Sequence, residues 1–297
     1  MLNKILVPLD GSVLGELALN YAAELAKSMN SEVHLLSVCD RIGEEYRNMC
    51  SVYLEKVSED LRSSLHEIIS LPTVRTIVID GQPDTKILDY AMENNISLII
   101  LVSHGHSGIM PWSAGSTVSK IIQKSTIPIL LIRASDHVYT KQASGLFEKI
   151  LVPLDGSKMS EVVLPYVKEI ASQMKSEIIL LWVLEQGQHV RTIGGIDHIA
   201  YTDQQVEEMR QEAVAYLNEI NQKLAKDGFT VRTVVKTGDA AREIIDTTLQ
   251  ENVNIVAMSS HGKSAAVKWV LGSVSNKILQ AGKKPLLLVR PSDKKIM

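Results

Sequence analysis

Ser259-Ser260-His261-Gly262-Lys263-Ser264-Ala265-Ala266-Val267-Lys268-Trp269-Val270-Leu271-Gly272-Ser273-Val274-Ser275 is the stretch that decides the fold. The apolar run before it, Ile255-Val256-Ala257-Met258, reads as a buried parallel strand, and Lys277, Ile278 and Leu279 open a helix beyond it. Nine residues separate Gly262 from Gly272, so the stretch is a loop from a strand end to a helix N-terminus. In an α/β sheet, ligands settle at the carboxyl ends of strands. A helix start there offers unpaired N–H groups and partial positive charge, which suits a phosphate. Gly272 permits close backbone approach, and the Ser273 hydroxyl adds a hydrogen bond or a cap. The stretch predicts an anion-binding loop.

It occurs twice. Ser103-His104-Gly105, nine residues, Gly115-Ser116 matches Ser260-His261-Gly262, nine residues, Gly272-Ser273 at a displacement of 157, with Trp112 opposite Trp269 and Pro128 opposite Pro285. Ile5-Leu6-Val7-Pro8-Leu9-Asp10-Gly11-Ser12 recurs letter for letter at Ile150 to Ser157, displaced by 145. Two long matches in the same order mean an internal duplication. The period is too long for a solenoid, whose repeats run to roughly 20–50 residues, and indicates two whole domains.

Composition agrees. A chain of 297 residues suits two domains that each bury a core. An apolar fraction of 45% with 22% charged residues is that of a globular protein, and a net charge of −3 with no basic tract argues against a nucleic-acid binder. No apolar run approaches the ~20 residues that span a bilayer, so no membrane insertion is expected. Met1-Leu2-Asn3-Lys4 enters a strand at once, leaving no room for a signal peptide, and Cys39 and Cys50 give neither a disulfide framework nor zinc-finger spacing. The expected compartment is the reducing cytoplasm.

Strand and helix alternate along both halves. Lys4 to Pro8 is a strand, and the stripe Leu14, Leu17, Ala18, Tyr21, Ala22, Leu25, Ala26 is a helix packed on a sheet, repeated as Met159, Val162, Val163, Tyr166, Val167, Ile170, Ala171. Pro165 should kink the second helix or delay its start. Further strands are expected at 33–38, 73–80, 98–102 and 127–133, and at 178–183, 230–236, 254–258 and 285–290; further helices at 46–69, 83–94, 204–226 and 239–252. The fold class is therefore α/β, with two tandem doubly wound domains, each a five-stranded parallel sheet with helices on both faces. The polar stretch Ala134 to Glu148 reads as a linker, placing the domains at 1–138 and 148–297 with 139–147 between them. The last strands end in exposed-looking Arg133 and Arg290 and can join across domains or chains. The second copy gains twelve net residues, mostly in Glu185 to Asp203, read as a Gly- and His-containing loop that either covers the site or frays.

Asp10 and Asp155 follow the first strands, beside the loop after strand four. A carboxylate there can bond ribose hydroxyls or help hold Mg2+. Read alone, Asp-Gly makes a turn and Ser12 or Ser157 caps a helix; combined with the Gly-Ser helix start, ligand binding is the better reading. Gly262-Lys263-Ser264 resembles the tail of a Walker loop, but Ala257 stands where its first glycine belongs, and that reading fails. His104, His106 and His261 read as neutral histidines bonding loop backbone, and no metal set is expected of them; His189, Asp197 and His198 carry a weaker zinc alternative. Cys39 follows the second strand, where it can lie near the site, with a small packed residue as the default reading, and Trp112 and Trp269 read as loop anchors before base-stacking platforms.

Together, Ile-Leu-Val-Pro-Leu-Asp-Gly-Ser at each domain start and Ser-His-Gly, nine residues, Gly-Ser after strand four resemble the universal stress protein family over nearly the whole chain. The resemblance implies an adenine-nucleotide alpha-hydrolase-like sheet, paired domains as an intramolecular counterpart of the family's homodimer, a role in stress adaptation, and ATP or AMP as ligand, with or without Mg2+. Members of the ATP-binding branch carry Gly, two residues, Gly, nine residues, Gly, then Ser or Thr. Gly105 and Gly115, and Gly262 and Gly272, match the second and third glycines; Val102 and Ser259 replace the first. A β-branched Val there narrows the pocket or forbids a positive φ, so the second domain is expected to be the better site. By the family pattern, Asp10 and Asp155 meet ribose, Val38 and Val183 lie near adenine, and Gly115, Ser116 and Thr117, with Gly272, Ser273 and Val274, cradle phosphates.

Three classes of function follow: a nucleotide-binding regulator with an unidentified protein partner, a nucleotide-free scaffold or chaperone-like protein, and a slow ATPase or transferase. The chain has no Walker lysine, no Ser-Gly-Gly loop and no Ser-His-Asp elbow, so dedicated catalysis is not expected. Tandem chains can in addition pair as homodimers.

Overall fold

The structure is a computed structural model that describes residues 2–39, 43–65, 72–103, 116–133, 145–185, 187–192, 195–262 and 271–291. The first half runs β1 (Lys4–Pro8), α1 (Leu17–Met29), β2 (Glu32–Cys39), α2 (Glu44–Ser64), β3 (Val74–Asp80), α3 (Pro83–Glu93), β4 (Leu98–Val102), α4 (Ser116–Lys124) and β5 (Ile129–Ile132). The second runs β6 (Lys149–Pro153), a 3-10 turn (Ser160–Val163), α5 (Leu164–Met174), β7 (Glu177–Leu184), β8 (Gly187–Thr192), β9 (Gly195–Ala200), α6 (Asp203–Lys226), β10 (Thr230–Thr237), α7 (Ala240–Gln250), β11 (Ile255–Ser259), α8 (Ser273–Ala281) and β12 (Leu286–Val289).

Each half is a five-stranded parallel sheet, but the two form one ten-stranded sheet in the order β10-β7-β6-β11-β12-β5-β4-β1-β2-β3. The join is the single antiparallel pairing in it, Leu286 opposite Leu131, Leu287 opposite Leu130 and Leu288 opposite Ile129. The last strands thus pair within the chain. Arg133 and Arg290 are half-buried at this join, not exposed as the sequence suggested. Pro165 acts as expected: the chain makes a 3-10 turn first, and α5 starts with proline in its first turn, where the missing N–H costs nothing. The insertion in 185–203 departs from the expected loop, because it contains the antiparallel hairpin β8–β9.

Strand residues alternate between two apolar layers. Ile5, Val7, Leu35 and Ile100 face α1 and α2 (Ala18, Ala22, Leu54, Val57), whereas Leu6, Leu36, Ile99 and Leu101 face α3 and α4 (Ile87, Ala91, Ile121). Both layers continue through the second half, and β4, β5, β11 and β12 are buried along their whole length. Period-two polarity is absent there because helices cover both faces. Residues 139–144 of the expected linker lie outside the described residues; Leu146 packs on the core, and Phe147 is fully buried with its ring edge-on to Tyr21 of α1 at 5.9 Å.

Candidate functional site

In each half the strand order reverses between the first and fourth strands, β1 and β4 or β6 and β11. A crevice opens at the carboxyl ends of such strands because their connections leave in opposite directions. In the second half that crevice is a cavity of about 120 Å³, and its lining includes Asp155, Val183, Ser259, Gly262, Gly272, Ser273 and Val274. All seven second-half residues singled out from the sequence therefore meet around one space. The rest of the wall is Pro153, Leu154, Leu181 and Met258 from strand ends, Ala240 and Ile244 from α7, and Ser160, His261 and Ser275.

Asp155 is fixed by its own turn. Its Oδ1 accepts from the Ser157 backbone N–H at 3.0 Å and the Ser157 hydroxyl at 2.6 Å, while Ser157 Oγ accepts from the Ser160 N–H at 3.1 Å. The first half repeats this with Ser12 on Asp10 Oδ1 at 3.0 and 2.5 Å and the Gly15 N–H on Ser12 Oγ at 3.1 Å. Gly156 and Gly11 bring the chain round at φ +80° and +78°, where a Cβ is strained. The turn-and-cap reading of Asp-Gly-Ser is thus realised, and it aims the carboxylate at the crevice. Asp155 Oδ2 lies against Gly262, where an added Cβ would come within 2.3 Å of it. A side chain at Gly262 would therefore push the Asp155 carboxylate aside. At Gly272 an added Cβ would make only ordinary contact, 3.4 Å from the Ser260 carbonyl oxygen, and φ is −57°; the expected need for glycine there does not come from the protein's own backbone.

The start of α8 is bound to the end of β11. The Gly272 N–H donates to the Ser260 carbonyl at 2.9 Å, and the Ser275 hydroxyl to the Ser259 carbonyl at 3.1 Å. Gly272 caps the helix without a side-chain hydrogen bond, so the first-turn amides meet the cavity uncapped. Ser259 Oγ accepts from the His261 N–H at 3.2 Å. His261 departs from the backbone-bonding role expected of it, because its Nδ1 lies 2.7 Å from the Ser260 hydroxyl. His261 is 5% exposed, and its Nε2 is buried without a hydrogen-bond partner. Behind this wall Tyr216 donates to Glu161 at 3.2 Å; burial, then Glu161, pushes its phenol above the usual range.

The first half is described from its strand side. Asp10 follows β1, Val38 is the penultimate residue of β2, and Ser116 and Thr117 open α4. Gly105 and Gly115, with His104, His106 and Trp112, lie outside the described residues, as does Trp269. Val102 and Ser259 both end their strands in extended backbone. The expected conflict between Val102 and a positive φ therefore does not arise. His189 pairs in register with His198 across β8 and β9. Among the described residues no group of three or more His, Cys, Asp or Glu side chains could hold a metal, and no helix is long and apolar enough to cross a membrane. Ala240, Ile244 and Met258 were not foreseen as lining, since an apolar residue facing a crevice has the same sequence signature as one facing the core.

Fold and crevice together define a duplicated, doubly wound α/β protein with a strand-end cavity at its topological switch point. The model of the "Universal stress protein family" matches residues 1–133 and again 146–290, and the chain belongs to this family as a tandem member. It is 30% identical to universal stress protein YxiE of Bacillus subtilis over 49% of this chain and 100% of that one. It is 22% identical to a universal stress protein of Mycolicibacterium smegmatis over 97% of each. A solved universal stress protein from Archaeoglobus fulgidus shares the fold with a TM-score of 0.72 at 19% identity, covering 98% of this chain and 100% of that one.

Proposed function

We propose that this chain is an ATP- or AMP-binding regulatory protein of stress adaptation, with the second half as the better nucleotide site and domains at 1–138 and 148–297. The observation that carries the reading is the convergence of a strand-end carboxylate, an uncapped helix start and a buried unpartnered imidazole nitrogen on one cavity. Adenine would lie beside Val183 against Leu181, Ile244 and Met258, and ribose hydroxyls would donate to Asp155. Phosphates would take the α8 amides and the Ser273 hydroxyl. With the Ser260 hydroxyl donating to Nδ1, His261 carries its proton on Nε2 and donates to a nucleotide oxygen. Asp155 is the one carboxylate in the described lining, so Mg2+ at this site would rest mainly on the phosphates and water. One carboxylate held by its own turn suits binding more than turnover. A nucleotide-responsive chain would act through a protein partner and could pair again as a homodimer.

Denaturing freshly purified protein and weighing the released small molecules by mass spectrometry tests the reading. About one adenine nucleotide per chain, lost in Asp155→Ala, is the expected result. No release, and no uptake of added ATP with magnesium, would leave the nucleotide-free scaffold as the better account.

A further inference from the structure

The chain's two cysteines, eleven positions apart in sequence, meet in the core of the first half. Cys39 ends β2, Cys50 lies on the buried stripe of α2, and their sulfurs are 3.1 Å apart. The contact is a hydrogen bond between two free, buried thiols, about 1 Å longer than the ~2.05 Å of a disulfide.

The second half shows what this contact requires for packing. Tyr53 bonds Glu16 as Tyr216 bonds Glu161, and Arg47 reaches Asp80 as Arg210 reaches Thr237, so α2 maps onto α6 at a displacement of 163. Cys50 then corresponds to Ala213. Gly81 donates to the Cys39 carbonyl as Gly238 donates to the Leu184 carbonyl, so Cys39 corresponds to Leu184. An alanine and a leucine, both buried, occupy these places in the second copy. The fold is content without sulfur here, yet the first copy carries sulfur at both positions.

We propose that Cys39 and Cys50 are a redox modification site, closing to a reversible disulfide that staples β2 to α2 when the protein meets a hydroperoxide. Cys50 is the more accessible, 9% exposed against 2% for Cys39, and takes the oxidant first. Its sulfur attacks one peroxide oxygen, the O–O bond breaks, and a sulfenic acid and one water (or alcohol) form. The Cys39 sulfur then attacks the Cys50 sulfur; the S–S bond forms, the S–O bond breaks, and hydroxide leaves with the Cys39 proton as a second water. Two thiols are oxidised and one peroxide is reduced. Burial, then the hydrogen bond to Cys50, pushes the Cys39 thiol up to about 12, so it is a poor nucleophile toward an oxidant in solution, and it is contact with the Cys50 sulfur that lets it act in the second step.

The full chain is treated with hydrogen peroxide, denatured in N-ethylmaleimide and digested with trypsin. The expected product has no alkylated thiol, a mass lower by two hydrogens, and a link between the peptides 28–41 and 48–56, opened by dithiothreitol. Met49, 60% exposed beside Cys50, reports in the same peptide whether peroxide reached the helix. Two alkylated cysteines at a dose that converts Met49 to its sulfoxide would overturn the proposal, as would sulfinic acid without a link or a link only between chains. The oxidised protein should also melt higher than the reduced. Cys50→Ala, the residue of the second half, should abolish that difference while melting close to the reduced wild type; a difference that persists in Cys50→Ala overturns it too.

Discussion

Arg133 and Arg290 exchange the same contact across the centre of the sheet. From the end of β5, Arg133 Nη2 donates to the Ile278 carbonyl in the last turn of α8 at 2.8 Å; from the end of β12, Arg290 Nη2 donates to the Gln123 carbonyl in the last turn of α4 at 2.6 Å. Each guanidinium meets the negative end of a helix whose other end opens a candidate phosphate loop. Burial pushes Arg133 down to about 10 and lowers Arg290 as well. The pairing of β5 with β12 therefore also holds α4 and α8 by their C-terminal ends.

Arg133→Met keeps the stem and removes the donor, leaving the Ile278 carbonyl without its charged partner. A loss of about 1–3 kcal/mol is expected. Calorimetric melting reads it, and a midpoint unchanged from wild type would show that the contact is incidental.

The two glycines of the second-half loop should respond differently to the same small change. A Cβ at Gly262 would collide with Asp155 Oδ2, whereas one at Gly272 finds ordinary contact. Gly262→Ala should weaken adenine-nucleotide binding at least tenfold by turning the carboxylate away, and Gly272→Ala should leave it within about threefold, a difference of order 1 kcal/mol. Titration calorimetry separates them, and equal affinities would show that Asp155 is not a ligand. A larger residue, Gly272→Val, should block the cavity itself.

How much of this was legible in the sequence depended on whether residues signal their neighbours or only their own burial. The apolar runs around Ile5, Ile100 and Ile255 and the stripe from Leu17 to Ala26 carry their period with them, so strands and helices were placed within a few residues. The duplication marks the turn of Asp155 and the loop of Gly272 as the two repeated motifs of one unit. The pairing of Leu287 with Leu130 left no such mark, because a strand buried on both faces is apolar whatever lies beside it. The hairpin was missed although Gly187 to Thr192 and Gly195 to Ala200 are two runs separated by two residues, a spacing that itself suggests a turn. Nothing in Cys39 or Cys50 indicates that their sulfurs meet, since contact between β2 and α2 is set by helix rotation.

His34 should make the protein acid-sensitive. It is buried in β2, with Nδ1 2.7 Å from the Tyr90 hydroxyl and Nε2 3.3 Å from Glu32 Oε1, while Arg75 and Lys4 face it with positive charge. Burial lowers its pKa, and with Arg75 and Lys4 it outweighs the opposing pull of Glu32. The unfolded chain, titrating near 6.5, therefore binds a proton that the folded chain refuses. The contribution is complete above that pH and is lost as pH falls toward the folded value. Urea midpoints should drop between pH 7.5 and 5.5, less steeply in His34→Gln; identical slopes would exclude His34 as the cause.

Asp239 holds the cavity wall by its helix start. Its Oδ1 accepts from the Arg242 N–H at 3.0 Å, capping α7, and its Oδ2 meets Lys277 of α8 at 2.8 Å. Lys277, then the Arg242 amide, lowers its pKa, so its stabilisation is present above the unfolded value and lost as pH falls through the folded one. Asp239→Ala should cost about 1 kcal/mol and loosen the turn carrying Ala240 and Ile244. Urea denaturation and nucleotide affinity should fall together; a stability loss with affinity intact would detach this helix from binding.

Cutting the chain between residues 139 and 144 should not separate its halves. Beyond the β5–β12 pairing and the two arginines, Glu169 of α5 accepts from the Leu2 N–H at 2.7 Å, and Glu24 of α1 accepts from the Leu146 N–H at 3.2 Å, a second reciprocal exchange on the other side of the sheet. Tyr21 packs on Phe147 between them. Separation would bare Ile129–Ile132 and Leu286–Val289, eight buried apolar residues on two open strand edges, at about 25 cal/mol for each Å² of apolar surface exposed. A protease site placed in that segment, cleaved in the folded protein, should give fragments that elute together at the mass of the intact chain and part only in denaturant. Fragments that separate in buffer would show that the covalent connection, and not the continuous sheet, holds the halves together.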